Sequence, residues 1–363
     1  MDQELHVVYG SGPVGTAVVE ELIRRGKRVR VATASGQRKH LPVAVDVVQA
    51  DATSAADARR VTRGATQRVQ RDEPARLSAL ASAIPALAAR CASGCSGQRR
   101  TFDRDGKPVY VRAAHGASMH EDMPMRGVGL RSTTRRAMTE ELFAAHRSGN
   151  VRAVSVRASD LFGPHVTESL VGERLFAPLL AGKSVPLLAR LDVRHSVSFI
   201  ADVGRALVEV GADDNAYGRA WHAPNAPAVT LREFIALVAE EAQLTPQVSA
   251  LPRPAVRALL PILALFTPQL RGLEENIYIA YESYIVDHSR YTQHFGDHAT
   301  PLREAIRTTI AWYRGQNSEF RTQDSEGQMA GSVIRTASLQ TGLTAHTQGT
   351  SGNIQNRLAD DSG

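Results

Sequence analysis

The chain has 363 residues, of which 43% are hydrophobic, so it is long enough for one large domain or two smaller ones with a sizeable core. No apolar run approaches the length of a membrane span and the first residues lack the pattern of a signal peptide, so we expect a cytoplasmic protein without a membrane partner. The net charge of +6 arises in one stretch, Arg59–Arg136, which has 16 Lys and Arg residues against 6 Asp and Glu residues. Because the rest is net acidic, we expect no nucleic-acid partner; salt-dependent retention on DNA would revive that idea.

The cysteine content bears on metal binding. The chain has two cysteines, Cys91 and Cys95, separated by three residues. A structural zinc site needs a second pair of Cys or His ligands at matching spacing, and none lies nearby in the sequence. We therefore predict no metal site and two free thiols in a reducing compartment.

The first predicted element is a short apolar strand from Leu5 that ends in a glycine-rich turn, and an amphipathic helix over Thr16–Arg25 follows at once. In this context Gly10 allows the tight turn, Gly12 allows a pyrophosphate to approach the backbone, and Gly15 allows close helix–strand packing. The helix N-terminus offers free N–H groups to the phosphates. The alternative is a turn that binds nothing. We predict dinucleotide contacts from Gly10, Ser11, Gly12, Pro13, Val14 and Gly15.

The next elements continue an α/β pattern. Arg28–Ala32 is predicted as the second strand, Val45–Ala50 as the third, and Ala55–Arg63 as a helix. This spacing is typical of the first half of a doubly wound parallel sheet. The second strand ends at Thr33 without the acidic residue that binds the ribose of NAD, and Arg38 lies near enough in sequence to meet a 2′-phosphate. The sequence therefore slightly favours NADP over NAD, against the alternative of a solvated loop arginine.

The glycine turn, a second strand without an acid and Asp51 after the third strand resemble the NAD-dependent epimerase/dehydratase family, the extended short-chain dehydrogenases. The resemblance spans about residues 4–66 and 115–314. It implies a Rossmann-type doubly wound parallel sheet with a smaller C-terminal α+β substrate domain. It also implies an adenine contact at Asp51, with Ala52 beside it, and hydride transfer on a sugar-nucleotide or another small carbonyl substrate.

The stretch from Gln67 to Arg112 breaks this pattern, because it is rich in Ala, Arg, Ser and Gly and contains no clean strand where the fold needs its fourth. Codons can be chosen for Val69–Ser78 that, read one base later, encode Tyr-Asn-Ala-Met-Asn-Pro-Pro-Ala-Tyr. Those for Gly106–Arg112 likewise give Ala-Asn-Leu-Tyr-Met-Tyr-Gly. Third bases are free to choose, but the Met codons and the absence of stops are harder to contrive. We hypothesise that Gln67–Ala114 is translated out of frame; a lineage-specific insertion or a disordered segment is the alternative.

The family's catalytic pair is missing. These enzymes use a Tyr followed by a Lys four residues later, where the Tyr exchanges the substrate proton and the Lys lowers its pKa and holds the ribose. By register the pair falls at Ser132 and Arg136, and neither can do this work, because a serine is a far weaker acid and an arginine is no base. Tyr110 lies in the suspect stretch and lacks the Lys. The catalytic residues are therefore unknown, with these three as candidates.

The substrate end is marked by two motifs. The run from Arg157 to Pro164 is similar to the family's Arg-Pro-x-x-x-Tyr-Gly-Pro turn and follows a predicted buried strand, Val151–Val156. Open α/β sheets bind ligands at the carboxyl ends of their strands, so Ser159 and Asp160 are candidate substrate contacts. Asp160 could instead be a capping residue. A second run resembles the family's strand-into-helix return, with Arg194 and His195 as candidate phosphate contacts and Asp202 as a helix N-cap.

The C-terminal third contains predicted helices. Thr230 and Glu233 form a capping box that opens a helix to Ala242. Arg253–Leu265 reads as an apolar helix of a small-domain core or a dimer face, which leaves a homodimer open. Tyr278, Tyr281 and Tyr284 recur at helical spacing, as core residues do. The predicted domains are residues 1–165 for NAD(P) binding, 166–314 for substrate with 195–225 partly returning to the first, and a disordered tail over 315–363.

Two functions remain open on this basis. The first is an NAD(P)-dependent epimerase, dehydratase or reductase that moves hydride to or from a carbonyl or sugar carbon. The second is a catalytically inactive NAD(P)-binding protein, a redox sensor or a frameshifted relic. The missing dyad favours the second, whereas the intact substrate-half motifs favour the first.

Overall fold

A computed structural model describes residues 4–71, 100–106, 117–125, 130–256, 258 and 277–316. The chain divides into two units, Met1–Tyr313 and Arg314–Gly363. The suspect stretch is therefore described only over 67–71 and 100–106, and Cys91, Cys95 and Tyr110 lie outside the described residues, as do 259–276 and 317–363. The finer division of the first unit into cofactor and substrate domains stays a prediction.

A seven-stranded sheet forms the centre of the first unit, in the order β12-β7-β5-β4-β1-β2-β3, and every neighbouring pair is parallel. Its strands are β1 (Leu5–Tyr9), β2 (Arg28–Thr33), β3 (Asp46–Gln49), β4 (Ala65–Arg71), β5 (Arg100–Gly106), β7 (Arg152–Arg157) and β12 (Ala220–His222). The order reverses between β1 and β4, which is the doubly wound arrangement. The predicted Rossmann-type parallel sheet is confirmed.

Eight further strands pair outside this sheet, β8 with β11, β9 with β14 and β6 with β15 in parallel, and β10 with β13 antiparallel. They are β6 (Ser118–Met119), β8 (Asp160–Phe162), β9 (Val185–Leu187), β10 (Arg194–His195), β11 (Val197–Phe199), β13 (Val229–Thr230), β14 (Val248–Ala250) and β15 (Ile285–Val286).

The helices cover the sheet and fill the C-terminal part. They are α1 (Pro13–Arg24), α2 (Ala55–Val61), α3 (Leu130–Arg147), α4 (Glu173–Leu180), α5 (Ile200–Ala212), α6 (Leu231–Ala242), α7 (Ile277–Tyr281), α8 (Ser289–Phe295) and α9 (302–316). Helices α1 and α5 cross closely at Gly204, where a Cβ would lie 2.7 Å from the carbonyl oxygen of Ala17. Within the described ranges, none of these helices could cross a membrane.

One large apolar core joins the sheet to the C-terminal helices. Its largest side chains include Trp221 on β12 and Phe162 on β8. Phe162 meets Phe234 of α6 edge-on with ring centroids 5.3 Å apart, and Phe176 of α4 stacks on Tyr313 of α9 at 5.4 Å. Strand β8 is thus packed into the same core as the helices α4, α6 and α9 that follow it.

Two expectations from the sequence are wrong. The stretch Gln67–Arg112 shows no strand pattern, yet residues 67–71 belong to β4 and residues 100–106 to β5, because pairing with β1 and β7 imposes extended backbone whatever the local propensity. Asp202 is not an N-cap: α5 continues directly from β11, so Phe199 is at that position. Asp202 instead accepts hydrogen bonds from the backbone N–H and Oγ1 of Thr300, at 2.8 and 2.7 Å.

The structure also tests three predictions for the C-terminal third of the chain. The capping box of Thr230 and Glu233 is confirmed, with both reciprocal hydrogen bonds present. Tyr281 and Tyr284 are buried, as core residues of this stripe should be. Of the predicted helix Arg253–Leu265, the described residues 253–256 and 258 are helical.

Candidate functional site

The glycine-rich turn connects β1 to α1 at the carboxyl edge of the sheet. Gly10 has φ of +88°, a left-handed conformation that favours glycine, and its N–H donates to the carbonyl of Ala32 on β2 at 2.8 Å. A Cβ on Gly15 would lie 2.1 Å from the carbonyl oxygen of Gly10. No side chain fits there without moving the backbone, so the turn and helix pack as closely as a dinucleotide-binding turn requires.

The N-terminus of α1 has no side-chain cap. Its N-cap is Gly12, and Pro13 at the first helical position has no N–H. The first intrahelical bond runs from Thr16 N–H to Gly12, so the N–H groups of Val14 and Gly15 precede it. Ser11 lies in the same turn, where its carbonyl accepts from Thr16 Oγ1 at 3.3 Å. This terminus fits a pyrophosphate, since it presents backbone donors and a partial positive charge.

Thr33 ends β2 beside this turn. Its Oγ1 is buried and has no hydrogen-bond partner among the described residues. Its backbone carbonyl accepts from Ala50 N–H at 2.9 Å, which fixes the strand end against the start of the next loop. A buried hydroxyl without a partner at this position fits a ribose hydroxyl, the group that an acidic residue binds in many dinucleotide folds.

The geometry does not support Arg38 as a 2′-phosphate ligand. Its Nη1 donates to the carbonyl oxygens of Pro42, Val43 and Val45, at 2.8, 3.1 and 2.8 Å. The side chain therefore closes its own loop between β2 and β3. The slight preference for NADP that the sequence suggests loses its structural basis.

Asp51 follows β3 at the same edge. Its Oδ1 accepts from the N–H and Oγ1 of Thr53, at 2.8 and 2.7 Å, and its own N–H donates to Asp57 at 2.8 Å. That last hydrogen bond, with the Arg60 side chain, lowers the pKa of Asp57. The exposed turn leaves Asp51 Oδ2 without a partner among the described residues, beside the half-buried Ala52. A carboxylate oxygen held in this way can accept from an adenine amino group.

Helix α3 carries the positions of the missing dyad. Ser132 is buried, and Arg136 lies one turn later with Nη1 3.3 Å from the carbonyl of Met125. Nε of Arg136 is 3.9 Å from Glu140, so its charge is partly balanced. The structure keeps these two residues on one helix but adds no chemistry to them, because a guanidinium is no general base and an aliphatic hydroxyl is a poor acid.

The structure brings three of the four predicted substrate residues together. Asp160 and His195 form a buried pair, with Oδ2 to Nε2 at 2.6 Å, and the imidazole stacks on Tyr284 with ring centroids 5.1 Å apart. Ser159 directly precedes Asp160 after β7. Arg194 is separate: it is exposed and its Nη1 donates to the carbonyl of Ala228 at 2.8 Å. Asp160 lies within β8 and caps no helix.

Sequence reasoning missed the polar residues that complete this cluster. Ser198 on β11 and Asn225 after β12 lie within hydrogen-bond distance of Ser159, with Oγ–Oγ and Oγ–Oδ1 distances of 2.7 and 3.0 Å. His222 at the end of β12 donates from Nδ1 to the carbonyl of Asp287 at 2.6 Å, and burial lowers the pKa of His222 to about 4. Polar residues just past apolar strands were the available signal, but their partners lie 27–66 positions apart.

Comparisons with known proteins address the fold. No protein-family profile matches the sequence, and no curated protein matches it. Solved structures match over most of their length. The UDP-glucose 4-epimerase of Thermus thermophilus in complex with NAD has a TM-score of 0.66 at 20% identity, covering 86% of this chain and 99% of the other. A putative epimerase from Burkholderia cenocepacia J2315 has a TM-score of 0.70 at 17% identity, covering 86% and 98%.

A third structure points the same way. The UDP-N-acetylglucosamine 4-epimerase of Methanobrevibacter ruminantium M1, in complex with UDP-N-acetylmuramic acid, has a TM-score of 0.69 at 15% identity and covers 87% of this chain and 100% of the other. At such identities the likeness concerns the fold. This chain therefore has the Rossmann-type fold of the sugar-nucleotide epimerases, the fold that its resemblance to the NAD-dependent epimerase/dehydratase family predicts.

Proposed function

We propose that this protein is an NAD-binding oxidoreductase of the epimerase type. The observation that carries the proposal is the turn between β1 and α1, where Gly15 leaves no room for a Cβ and the helix N-terminus has no cap. Such a terminus is suited to a pyrophosphate. The solved structures of the same fold include a UDP-glucose 4-epimerase and a second enzyme in complex with NAD, which supports the same cofactor class here.

NAD, not NADP, is the proposed cofactor. Thr33 offers a neutral hydroxyl for the ribose, and Arg38 is occupied by three carbonyl groups of its own loop. Asp51 would hold the adenine through its second carboxylate oxygen. When bound, the nicotinamide accepts and returns hydride, and the chain contributes binding, orientation and exclusion of water.

The proposed substrate is a sugar-nucleotide or another small carbonyl compound. Similar folds bind UDP-glucose and UDP-N-acetylmuramic acid. In this chain the substrate would meet the cluster of Ser159, Asp160 and His195 at the carboxyl edge of β7. Ligands of open α/β sheets bind at that edge, beyond the reversal of strand order.

A catalytically inactive NAD-binding protein is the second candidate. The observation that favours it is α3, which carries Ser132 and Arg136 at the dyad positions, so neither of them supplies a phenol or an amine. Such a protein would bind the cofactor in the same turn and turn nothing over.

Titration of the purified chain with NADH and NADPH tests the shared claim. We expect NADH to bind more tightly than NADPH, and Gly15→Ala to abolish binding because its Cβ displaces the Gly10 carbonyl. Gly315→Ala is the matched control, since a Cβ there would meet no atom of the described residues within 4 Å beyond its chain neighbours and its own helix backbone. Equal binding by all three chains would refute the site.

A turnover assay separates the two candidates. The chain is incubated with NAD and UDP-glucose, and the formation of UDP-galactose or reduced nicotinamide is followed. Turnover supports the enzyme, whereas cofactor binding without turnover across a panel of sugar nucleotides favours the inactive protein.

A further inference from the structure

Asn225 belongs to a buried hydrogen-bonded triad at the carboxyl edge of the sheet. It lies three residues after β12 and is 3% exposed. Its Oδ1 accepts from Ser159 Oγ at 3.0 Å and from Ser198 Oγ at a shorter distance. Ser198 Oγ in turn accepts from the N–H of Ser159 at 3.0 Å. Three separate segments thus surround the amide, and Oδ1 lies toward the two hydroxyls.

The other end of that amide is unsatisfied. Nδ2 of Asn225 is inaccessible to solvent and has no hydrogen-bond partner among the described residues. Leaving a buried amide without an acceptor destabilises the fold, and the large majority of buried side-chain polar atoms in proteins are paired. The two N–H bonds of Nδ2 therefore mark the position of an acceptor oxygen that the described part of the chain does not supply.

The position of the triad along the sheet indicates which part of the bound ligands it would face. Ser159 follows β7, and β7 is separated from β1 by β5 and β4. At about 4.8 Å per strand, the triad lies roughly 14 Å along the edge from the glycine turn. The turn is the pyrophosphate end, so the triad is on the side of the site where the nicotinamide and the substrate would meet.

We propose that Asn225 donates a hydrogen bond from Nδ2 to an oxygen at the reacting end of the bound ligands. That oxygen is either the carboxamide oxygen of the nicotinamide or a carbonyl or hydroxyl oxygen of the substrate. Ser159 and Ser198 are positioning residues that orient the amide. The proposal rests on the proposed binding of NAD and adds a specificity-determining residue to it.

The experiment compares NADH with ADP-ribose, which has the same pyrophosphate but no nicotinamide. Affinities are measured for the wild type, Asn225→Ala, Asn225→Asp and Ser198→Ala, and UDP-glucose is then titrated into each NADH-loaded chain. Thr309→Val is the control for the loss of a buried hydroxyl, because Thr309 Oγ1 bonds only to Ala305 of its own helix among the described residues. ADP-ribose binding also reports whether each variant is folded.

We expect Asn225→Ala and Asn225→Asp to weaken NADH by about 5–10-fold, the loss of one hydrogen bond, with ADP-ribose unchanged. Ser198→Ala has a smaller effect in the same direction. Unchanged NADH with UDP-glucose weakened by a similar factor assigns the acceptor to the substrate, which also supports the proposal.

Unchanged affinity for both ligands in variants that still bind ADP-ribose would overturn the proposal and assign the acceptor to a buried water. Weakening of ADP-ribose and NADH by the same factor would also overturn it, because the role would then be structural. A wild type that binds neither NADH nor ADP-ribose would refute the proposed function itself, and this inference with it.

Discussion

Four strands lie side by side in the middle of the sheet, and they fall into two kinds. In β1 all five residues are buried, and in β7 five of six are buried. The sequences of β4 and β5, between them, are Ala-Thr-Gln-Arg-Val-Gln-Arg and Arg-Thr-Phe-Asp-Arg-Asp-Gly. Central strands of a parallel sheet, with helices on both faces, are normally near-continuous apolar runs. The contrast teaches that backbone pairing with neighbouring strands can hold a segment in the centre of a sheet even when its composition is not that of a buried strand.

The contrast bears directly on the reading-frame hypothesis. Natural sequences agree with their fold at both the local and the global level, and conflict between the two calls for an explanation. Most of β4 and all of β5 fall inside the suspect stretch, and codons can also be chosen there that, read one base later, encode an apolar run, Leu-Ser-Ile-Val-Met, near the position of β5. The hypothesis stays a prediction, and it now concerns the two central strands β4 and β5.

The largest expected effect comes from removing the contrast. If Gln67–Ala114 is out of frame, the chain with that segment read one base later buries several large apolar side chains in β4 and β5. At about 1.5–3 kcal/mol per buried side chain, the free energy of unfolding rises on the order of 5 kcal/mol. Calorimetry of both chains measures it as a higher and sharper melting transition.

Sequencing the gene is the control for that experiment. Stop codons in the shifted frame of a verified coding sequence would eliminate the hypothesis. A restored chain that melts no higher than the present one would show that the composition of β4 and β5 does not limit stability.

A smaller effect is expected from His222, a buried polar residue at the end of β12. The ordinary pKa of His222 is 6.5, and burial, with Arg157 nearby, lowers it to about 4 despite the opposing effects of Glu121 and Asp287. The folded state therefore holds the neutral ring. The stability it contributes is complete above pH 6.5 and is lost as the pH falls toward 4. Between pH 7 and 5 the wild type should lose about 2 kcal/mol more than His222→Gln.

Urea unfolding at both pH values measures the two losses. His222→Gln is expected to be less stable at pH 7, because the hydrogen bond to Asp287 changes, so the informative quantity is the difference between pH values. Parallel pH profiles for the two chains would contradict a buried neutral imidazole.

The smallest expected effect is the loss of the N-cap of α6. Thr230→Ala removes the N-cap of α6 and should lower the free energy of unfolding by about 1 kcal/mol. Thr308→Ala is the matched control, since its exposed hydroxyl bonds to the carbonyl of Glu304 within one helix and its loss is close to neutral. Urea unfolding that ranks the control as the more damaging change would contradict the cap.

Much of the N-terminal part of the main sheet, from β1 to β3, could be predicted from the sequence. The run from Gly10 to Gly15 sets its own backbone, because the glycine spacing, the proline at the helix start and the apolar strand before it act over neighbouring residues. The position of Asp51 after β3 follows in the same way. Arg38 could not be predicted, since its three carbonyl partners depend on how the loop closes.

The sequence by itself therefore determined the doubly wound pattern, the glycine-rich turn between β1 and α1, the capping box at Thr230 and the absence of a Tyr-x-x-x-Lys dyad. Only the tertiary structure decided that β4 and β5 occupy the centre of the sheet and that Ser159, Ser198 and Asn225 share one hydrogen-bonded triad. The physical reason is range. Turn and cap chemistry act within a few residues, whereas strand order and buried polar contacts join segments whose separation the local pattern does not encode.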